Sequence, residues 1–184
     1  FNTGSGPIRL VVADFNADGN LDLVSSNGTS NNISYLAGNG TGSFSSAVNF
    51  AVGAGPSGLT TADYNSDGKA DVAVTLNGEG RLAVLLSNGS GSFTSVVKYL
   101  VGAQPRGITS ADFNSDGQPD LCAANWAWNN LSIVLGSGNG VFATMMYYNV
   151  NTNPNQNGII SDDFNGDNIA DLAMVNAGAN SVSV

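Results

Sequence analysis

The apolar residues of this chain come in short runs, among them IRLVVA, DLVSS, ISYLA, VNFAV, LAVLL and LSIVL. The runs are rich in β-branched and aromatic side chains, and clusters of Gly, Asn, Ser or Thr close each one. Such runs, bounded by turn chemistry, predict strands. No stretch shows the apolar 3.6-residue period or the charged i,i+4 pairs of a helix, and none approaches the ~20 apolar residues of a membrane span. The pattern predicts an all-β chain of short antiparallel strands.

The strands recur as a set. The word DFNADGNLD begins at Asp14, and close copies begin at Asp63 (DYNSDGKAD), Asp112 (DFNSDGQPD) and Asp163 (DFNGDNIAD), at intervals of 49, 49 and 51 residues. Each copy is preceded by one apolar run and followed by three more, except that the chain ends inside the fourth set. Four antiparallel strands in a period near 50 residues is the size of a propeller blade. A β-helix would need shorter coils, and a sandwich would not repeat its sequence. The expected architecture is a single β-propeller segment over residues 1–184, built of four-stranded antiparallel blades, with repeats near 7–55, 56–104, 105–155 and a partial 156–184, about 3.7 blades in all. The start, FNTGSGPIRL, aligns with FAVGAGPSGL at Phe50, which places Phe1 at the tail of an outer strand. An open wheel exposes apolar blade faces. The chain is therefore expected to be part of a larger propeller, or to associate with a second copy.

Composition changes the picture only through the acids. The formal net charge is −9, yet twelve of the 14 acids lie inside the four words, and only Glu79 and Asp162 fall outside. The charge belongs to local sites rather than to a general acidic surface. Five scattered basic residues leave no footprint for nucleic acid. The single cysteine, Cys122, excludes an internal disulfide framework, and its equivalents Val24, Ala73 and Ala173 mark it as a small core residue.

With the acidic words, the GNGTGSF type of turn, and FAVGAGP at Phe50 matched by YLVGAQP at Tyr99, the chain resembles the FG-GAP, or VCBS, repeats of the integrin α-subunit propeller and of many bacterial secreted proteins. The resemblance implies a β-propeller with one calcium ion in the first hairpin loop of each blade, four sites in all, and a secreted or cell-surface location. Positions 1, 3, 5 and 9 of each word supply oxygen side chains: Asp14, Asn16, Asp18, Asp22; Asp63, Asn65, Asp67, Asp71; Asp112, Asn114, Asp116, Asp120; and Asp163, Asn165, Asp167, Asp171. The position-7 carbonyls of Asn20, Lys69, Gln118 and Ile169 are the expected further ligands. Calcium takes six to eight such oxygens without strict geometry. Gly19, Gly68 and Gly117 at position 6 permit the positive φ that the turn requires, and Asn168 holds that place in the fourth word. The position-2 aromatics, Phe15, Tyr64, Phe113 and Phe164, are expected to anchor the loops against the blades. An EF-hand would need a glutamate at position 12, where Ser25, Val74, Ala123 and Met174 stand.

Catalytic chemistry finds little purchase. The chain has no histidine, the acid pairs are taken by the loops, and the Gly-rich segments join strands rather than opening a helix. The departures from the repeat are more informative. Trp126 and Trp128 both occupy one turn between the second and third strands of the third unit, and two extra residues fall near YYNVNTNPNQNG. Both features belong to the face opposite the acidic loops. Trp126, Trp128, Asn153, Asn155 and Gln156 are the candidate contact patch there, suited to a protein surface or a sugar ring. Five N-x-S/T sequons begin at Asn27, Asn32, Asn39, Asn88 and Asn130, as Asn-Gly-Ser/Thr turns produce by composition alone. The expected function is that of a non-enzymatic, calcium-binding propeller segment serving extracellular recognition or adhesion. The alternatives are a lectin-like module, an accessory propeller beside a polysaccharide-acting domain, or an array with no ligand.

Overall fold

The computed structural model describes residues 1–94, 96–150 and 158–184. Strands β1 (Pro7–Ala13), β2 (Asp22–Asn27), β3 (Asn32–Leu36) and β4 (Val48–Ala51) form the first sheet. Strands β5 (Pro56–Ala62), β6 (Asp71–Leu76), β7 (Arg81–Leu85) and β8 (Val97–Leu100) form the second. Strands β9 (Pro105–Ala111), β10 (Asp120–Asn125), β11 (Asn130–Gly136) and β12 (Phe142–Asn149) form the third. The last sheet holds β13 (Ile159–Asp162), β14 (Asp171–Asn176) and β15 (Ser181–Ser183). Within every sheet the strands pair antiparallel in chain order. The first strands β1, β5, β9 and β13 touch one another in succession, so they line the axis of an unclosed propeller. Among the described residues no helix is long and apolar enough to cross a membrane.

The two-residue period of a strand sorts side chains between neighbouring blades. On β6, Val72, Val74 and Leu76 pack toward the first blade, while Ala73 packs toward the third. On β10, Leu121 and Ala123 face the second blade, and Cys122 and Ala124 face the fourth. Both strands are buried along their whole length, because each lies between two other blades. Every buried Val or Leu contributes roughly 1.5–3 kcal/mol, so the stack is held by interfaces that no isolated blade could form. At the open ends the same pattern faces outward: Leu10 and Val12 on β1, Ile160 on β13 and Val182 on β15 are exposed.

Polar contacts fix the stacking register. Ser26 Oγ donates to the carbonyl of Ser57 in the next blade (2.6 Å), and Thr75 Oγ1 donates to that of Arg106 (3.2 Å). Buried amides tie the second strand of a blade to the third. Asn27 Nδ2 donates to Asn32 Oδ1 and Ser34 Oγ, and Asn125 Nδ2 does the same to Asn130 and Ser132. The sequon at Asn27 is thus inside the blade, not on its surface. Cys122 is fully buried, and that burial pushes its thiol up to about 12.

Candidate functional site

Each acidic word forms the loop between the first two strands of its blade. The backbone turns sharply at two positions. Position 6 is left-handed as expected, with φ of 84°, 81° and 82° at Gly19, Gly68 and Gly117, and 65° at Asn168. Position 4 is left-handed too, at Ala17 (59°), Ser66 (58°), Ser115 (62°) and Gly166 (83°). A side chain with a Cβ is uncomfortable there, so three of the loops carry a local strain that their hydrogen bonds must hold.

Those bonds are the same in every loop. Asp14 accepts from the N–H groups of Asp18 (3.2 Å) and Gly19 (2.8 Å), Asn16 Oδ1 accepts from Asp18 (2.9 Å), and Asp18 Oδ1 accepts from Asn20 (2.8 Å). Asp63, Asn65 and Asp67 repeat the set, as do Asp112, Asn114 and Asp116. In the fourth loop Asp163, Asn165 and Asp167 accept from Asp167, Asn168 and Ile169. The Asn20 N–H holds the Asp18 carboxyl below its usual range, the Asn168 N–H does so for Asp163, and at Asp67 the chief cause is Lys69. Lys69 Nζ lies 3.0 Å from Asp67 Oδ2.

The carboxylate at position 9 behaves differently. Asp22, Asp71 and Asp120 have no exposed surface. Asp22 Oδ2 accepts from the Phe15 N–H and the Tyr35 hydroxyl, and its Oδ1 accepts from Gly38, just beyond the third strand. Asp71 accepts from Tyr64 (2.9 Å) and Ser87 (2.7 Å), and Asp120 from Phe113 (2.9 Å) and Gly136 (2.8 Å). In the last loop Asp171 accepts from Phe164. This carboxylate therefore joins loop, second strand and third strand, a role that spacing alone did not reveal. Burial raises Asp71 to about 6, with Asp67 and Asp63 adding repulsion. Asp120 is raised by burial and by Asp116 and Asp112.

The position-2 residues reach across to the following blade. Phe15 packs edge-on against Phe93 (5.8 Å between ring centroids) and Tyr64 against Phe142 (5.5 Å). Their carbonyls accept from that same blade, Phe15 from Ser87 Oγ (3.0 Å) and Tyr64 from the Gly140 N–H (2.8 Å). Phe15 and Tyr64 are buried, Phe113 is partly buried, and Phe164 is 45% exposed because no later blade of this chain lies against it. A loop is completed by its neighbour.

Among the described residues no three His, Cys, Asp or Glu side chains stand gathered closely enough to hold a metal ion as placed. The donor set nevertheless suits one hard cation. Every donor is an oxygen, and a carboxylate offers about four lone-pair sites, of which Asp14 uses two and Asp18 two, the second bond coming from Asn16 Nδ2. The backbone is already turned around the side chains of positions 1, 3 and 5.

On the opposite face the two tryptophans diverge. Trp126 is half-buried beneath Arg106, whose guanidinium carbon lies 4.7 Å from the ring centroid, toward the axis. Trp128 is 56% exposed and leans on Tyr147 of the outer strand β12, at 6.2 Å between centroids. Asn153, Asn155 and Gln156 lie outside the described residues.

The model of the FG-GAP-like repeat matches three overlapping spans, 14–74, 63–123 and 112–174. No curated protein matches. Among solved structures, the chain is similar to BBS1N in its complex with ARL6DN, at 10% identity and a TM-score of 0.63 over 98% of this chain and 57% of that one. It is also similar to a catalytically inactive virginiamycin B lyase from Staphylococcus aureus solved with quinupristin (14% identity, TM-score 0.61, 99% of this chain and 56% of that one). A third is an Agrocybe aegerita lectin described by its specific recognition of non-reducing terminal N-acetylglucosamine (20% identity, TM-score 0.53, 76% of this chain and 37% of that one). The chain spans less than two thirds of the length of each.

Proposed function

Because this chain belongs to the FG-GAP-like repeat family, we propose that it is a calcium-binding propeller segment of a secreted or cell-surface protein, serving recognition or adhesion without catalysis. The observation that carries this reading is the fourfold recurrence of one oxygen-only donor set in loops of one backbone shape, all at one end of the blades. Asp14, Asn16, Asp18 and Asp22, with the Asn20 carbonyl, would hold one ion, and the corresponding residues of the other three loops would do likewise. The ion supplies two positive charges where three carboxylates otherwise repel one another, each pair by up to roughly 4 kcal/mol at 4 Å and an effective dielectric near 20. Asp22, Asp71 and Asp120 tie the charged loop to the second and third strands, and Phe15 and Tyr64 tie it to the next blade. Occupied loops would thus stiffen the stack and present the opposite face.

That face is the proposed contact surface for a protein or glycan partner. A lectin-like role, or an accessory role beside a polysaccharide-acting domain, is the second reading, and the exposed Trp128 beside Tyr147 favours it. Association with a second copy, or with the remainder of a larger propeller, would cover Leu10 and Val12 at one end and Ile160 and Val182 at the other. Equilibrium dialysis with radioactive calcium tests the metal sites directly. Four ions bound per chain, and about one fewer in an Asp14→Asn, Asp18→Asn double variant, is the expected result. Stoichiometry unchanged by that variant would refute the assignment.

A further inference from the structure

The innermost strands of the first three blades share an irregularity. Register shifts fall between Pro7 and Arg9, between Pro56 and Leu59, and between Ala124 and Asn125 opposite Pro105. One extra residue follows each proline: Ile8, Ser57 and Arg106. A bulge of this kind re-aims a side chain, and bulges are over-represented beside functional sites. Here the three extra residues line one cavity of about 500 Å³, joined by Pro7, by Thr29 from the β2–β3 turn and by Asn77 from the β6–β7 turn. The backbone around them repeats, but the side chains do not. An aliphatic group, a hydroxyl and a guanidinium stand at equivalent places on three successive blades.

The polar groups of this cavity are uncommitted. Among the described residues, the side chains of Thr29, Ser57 and Asn77 make no hydrogen bond, and Arg106 makes neither a side-chain hydrogen bond nor an ion pair. Arg106 Nε is buried and has no partner among the described residues. Its guanidinium is held against the face of Trp126, an arrangement that restrains the planar fork while leaving its donors free. The acids of the four words lie at the other end of the blades. Glu79, the acid in the neighbouring turn, is engaged by Lys98 at 2.8 Å. A guanidinium with free donors, three hydroxyl- or amide-bearing side chains and an aliphatic wall therefore meet in one cavity, within a chain whose charge is otherwise negative.

We infer that this cavity binds an acidic saccharide, with Arg106 taking the carboxylate of a uronic acid unit and Thr29, Ser57 and Asn77 taking its hydroxyls. A guanidinium matches a carboxylate through two parallel N–H···O bonds. The three neutral side chains offer donors and acceptors together, which suits vicinal hydroxyls better than a second acid. Pro7 and Ile8 supply apolar surface for the C–H face of a ring. This site rests on the reading of the face opposite the acidic loops as a recognition surface. It differs from the rim around Trp128, so the two can fail separately.

The test is a titration of the calcium-loaded chain with digalacturonate, with cellobiose as the neutral disaccharide and triglutamate as the acidic peptide. Trp126 fluorescence and calorimetry are the readouts. Digalacturonate is expected to bind in a saturable way and to change the emission of Trp126. Arg106→Gln should weaken that binding between about ten- and a hundredfold, as loss of a charge-assisted pair of bonds does. Cellobiose should bind more weakly and should not respond to Arg106→Gln. Asn77→Ala, which leaves the Arg106–Trp126 stack in place, should weaken digalacturonate while preserving its advantage over cellobiose. No saturable digalacturonate binding, equal binding in Arg106→Gln, or triglutamate binding as tightly as digalacturonate would each overturn the proposal. So would a glycan that binds the chain through Trp128 and ignores Arg106→Gln, an outcome that leaves the wider recognition surface standing.

Discussion

Asp71 offers the sharpest test of why these loops carry buried acids. Its carboxyl has no exposed surface, accepts from the Tyr64 and Ser87 N–H groups, and is raised by burial from 3.8 to about 6. A carboxyl whose folded pKa exceeds its unfolded value adds stability that is whole below 3.8 and is lost as the pH rises through about 6. The rise corresponds to about 3 kcal/mol at neutral pH. Asp120, also raised, adds in the same direction. The lowered groups Asp18, Asp67, Asp163 and Glu79 act with the opposite sign, but they lose their contribution only as the pH falls below the usual carboxylate range. Between pH 4 and 6.5, roughly, the metal-free chain should therefore become less stable as the pH rises. For a chain of this size the loss from Asp71 is about 6–12 °C in Tm. Saturating calcium should abolish or reverse the slope, because an ionised Asp71 then faces two positive charges. At a hundred times its Kd each ion adds about 2.7 kcal/mol. Scanning calorimetry across this range, with chelator and with calcium, makes the comparison, and Asp71→Asn should flatten the chelator curve. A chelator curve that is level or rising between those limits would refute the reasoning, whatever calcium does.

The interlocking of blades gives three more outcomes. Phe142→Ala, which removes a 4% exposed ring in contact with Tyr64 and Tyr99, should cost about 3–5 kcal/mol in denaturant titrations, and should weaken calcium binding at the second loop, whose position-2 residue it supports. Thr75→Val deletes the acceptor for the Gly58 N–H and the donor to the Arg106 carbonyl, and should cost about 1–3 kcal/mol by the same assay despite its equal volume. Ala17→Gly relieves a left-handed alanine and should raise stability by up to about 1 kcal/mol, whereas Gly19→Ala at the neighbouring left-handed position should lower it by a similar amount.

Much of this molecule can be read along the chain, because its determinants are local. Period-two runs ended by Gly and Asn specify strands and hairpins, and a word repeated near every 50 residues specifies the blade. Gly19, Gly68 and Gly117 announced the left-handed turn at position 6, and Asn168 proved an adequate substitute. Position 4 went unannounced, since Ala17, Ser66 and Ser115 carry no mark of a positive φ; the hydrogen bonds that hold them there are made by residues four and five places apart. Aspartate at position 9 looked like its fellows in the word. Only the fold places the second and third strands so that Asp71 meets Ser87, sixteen residues away, and is sealed from water.

The face opposite the acidic loops shows the same division more sharply. Composition singles out Trp126 and Trp128 as the break in the repeat, since two large rings replace small turn residues. It cannot say that one leans inward on Arg106 and the other outward on Tyr147, because those neighbours lie on strands at opposite edges of the sheet. Nor does any local pattern show that Ile8, Ser57 and Arg106, 49 residues apart in succession, share a cavity. Strand, turn and repeat follow from interactions between near neighbours in the chain, so the sequence alone determined them. Which side chains meet, and which carboxylates lose their water, was decided by the stacking of one blade on the next, where the contacts span some fifty residues and only the assembled wheel segment brings them together.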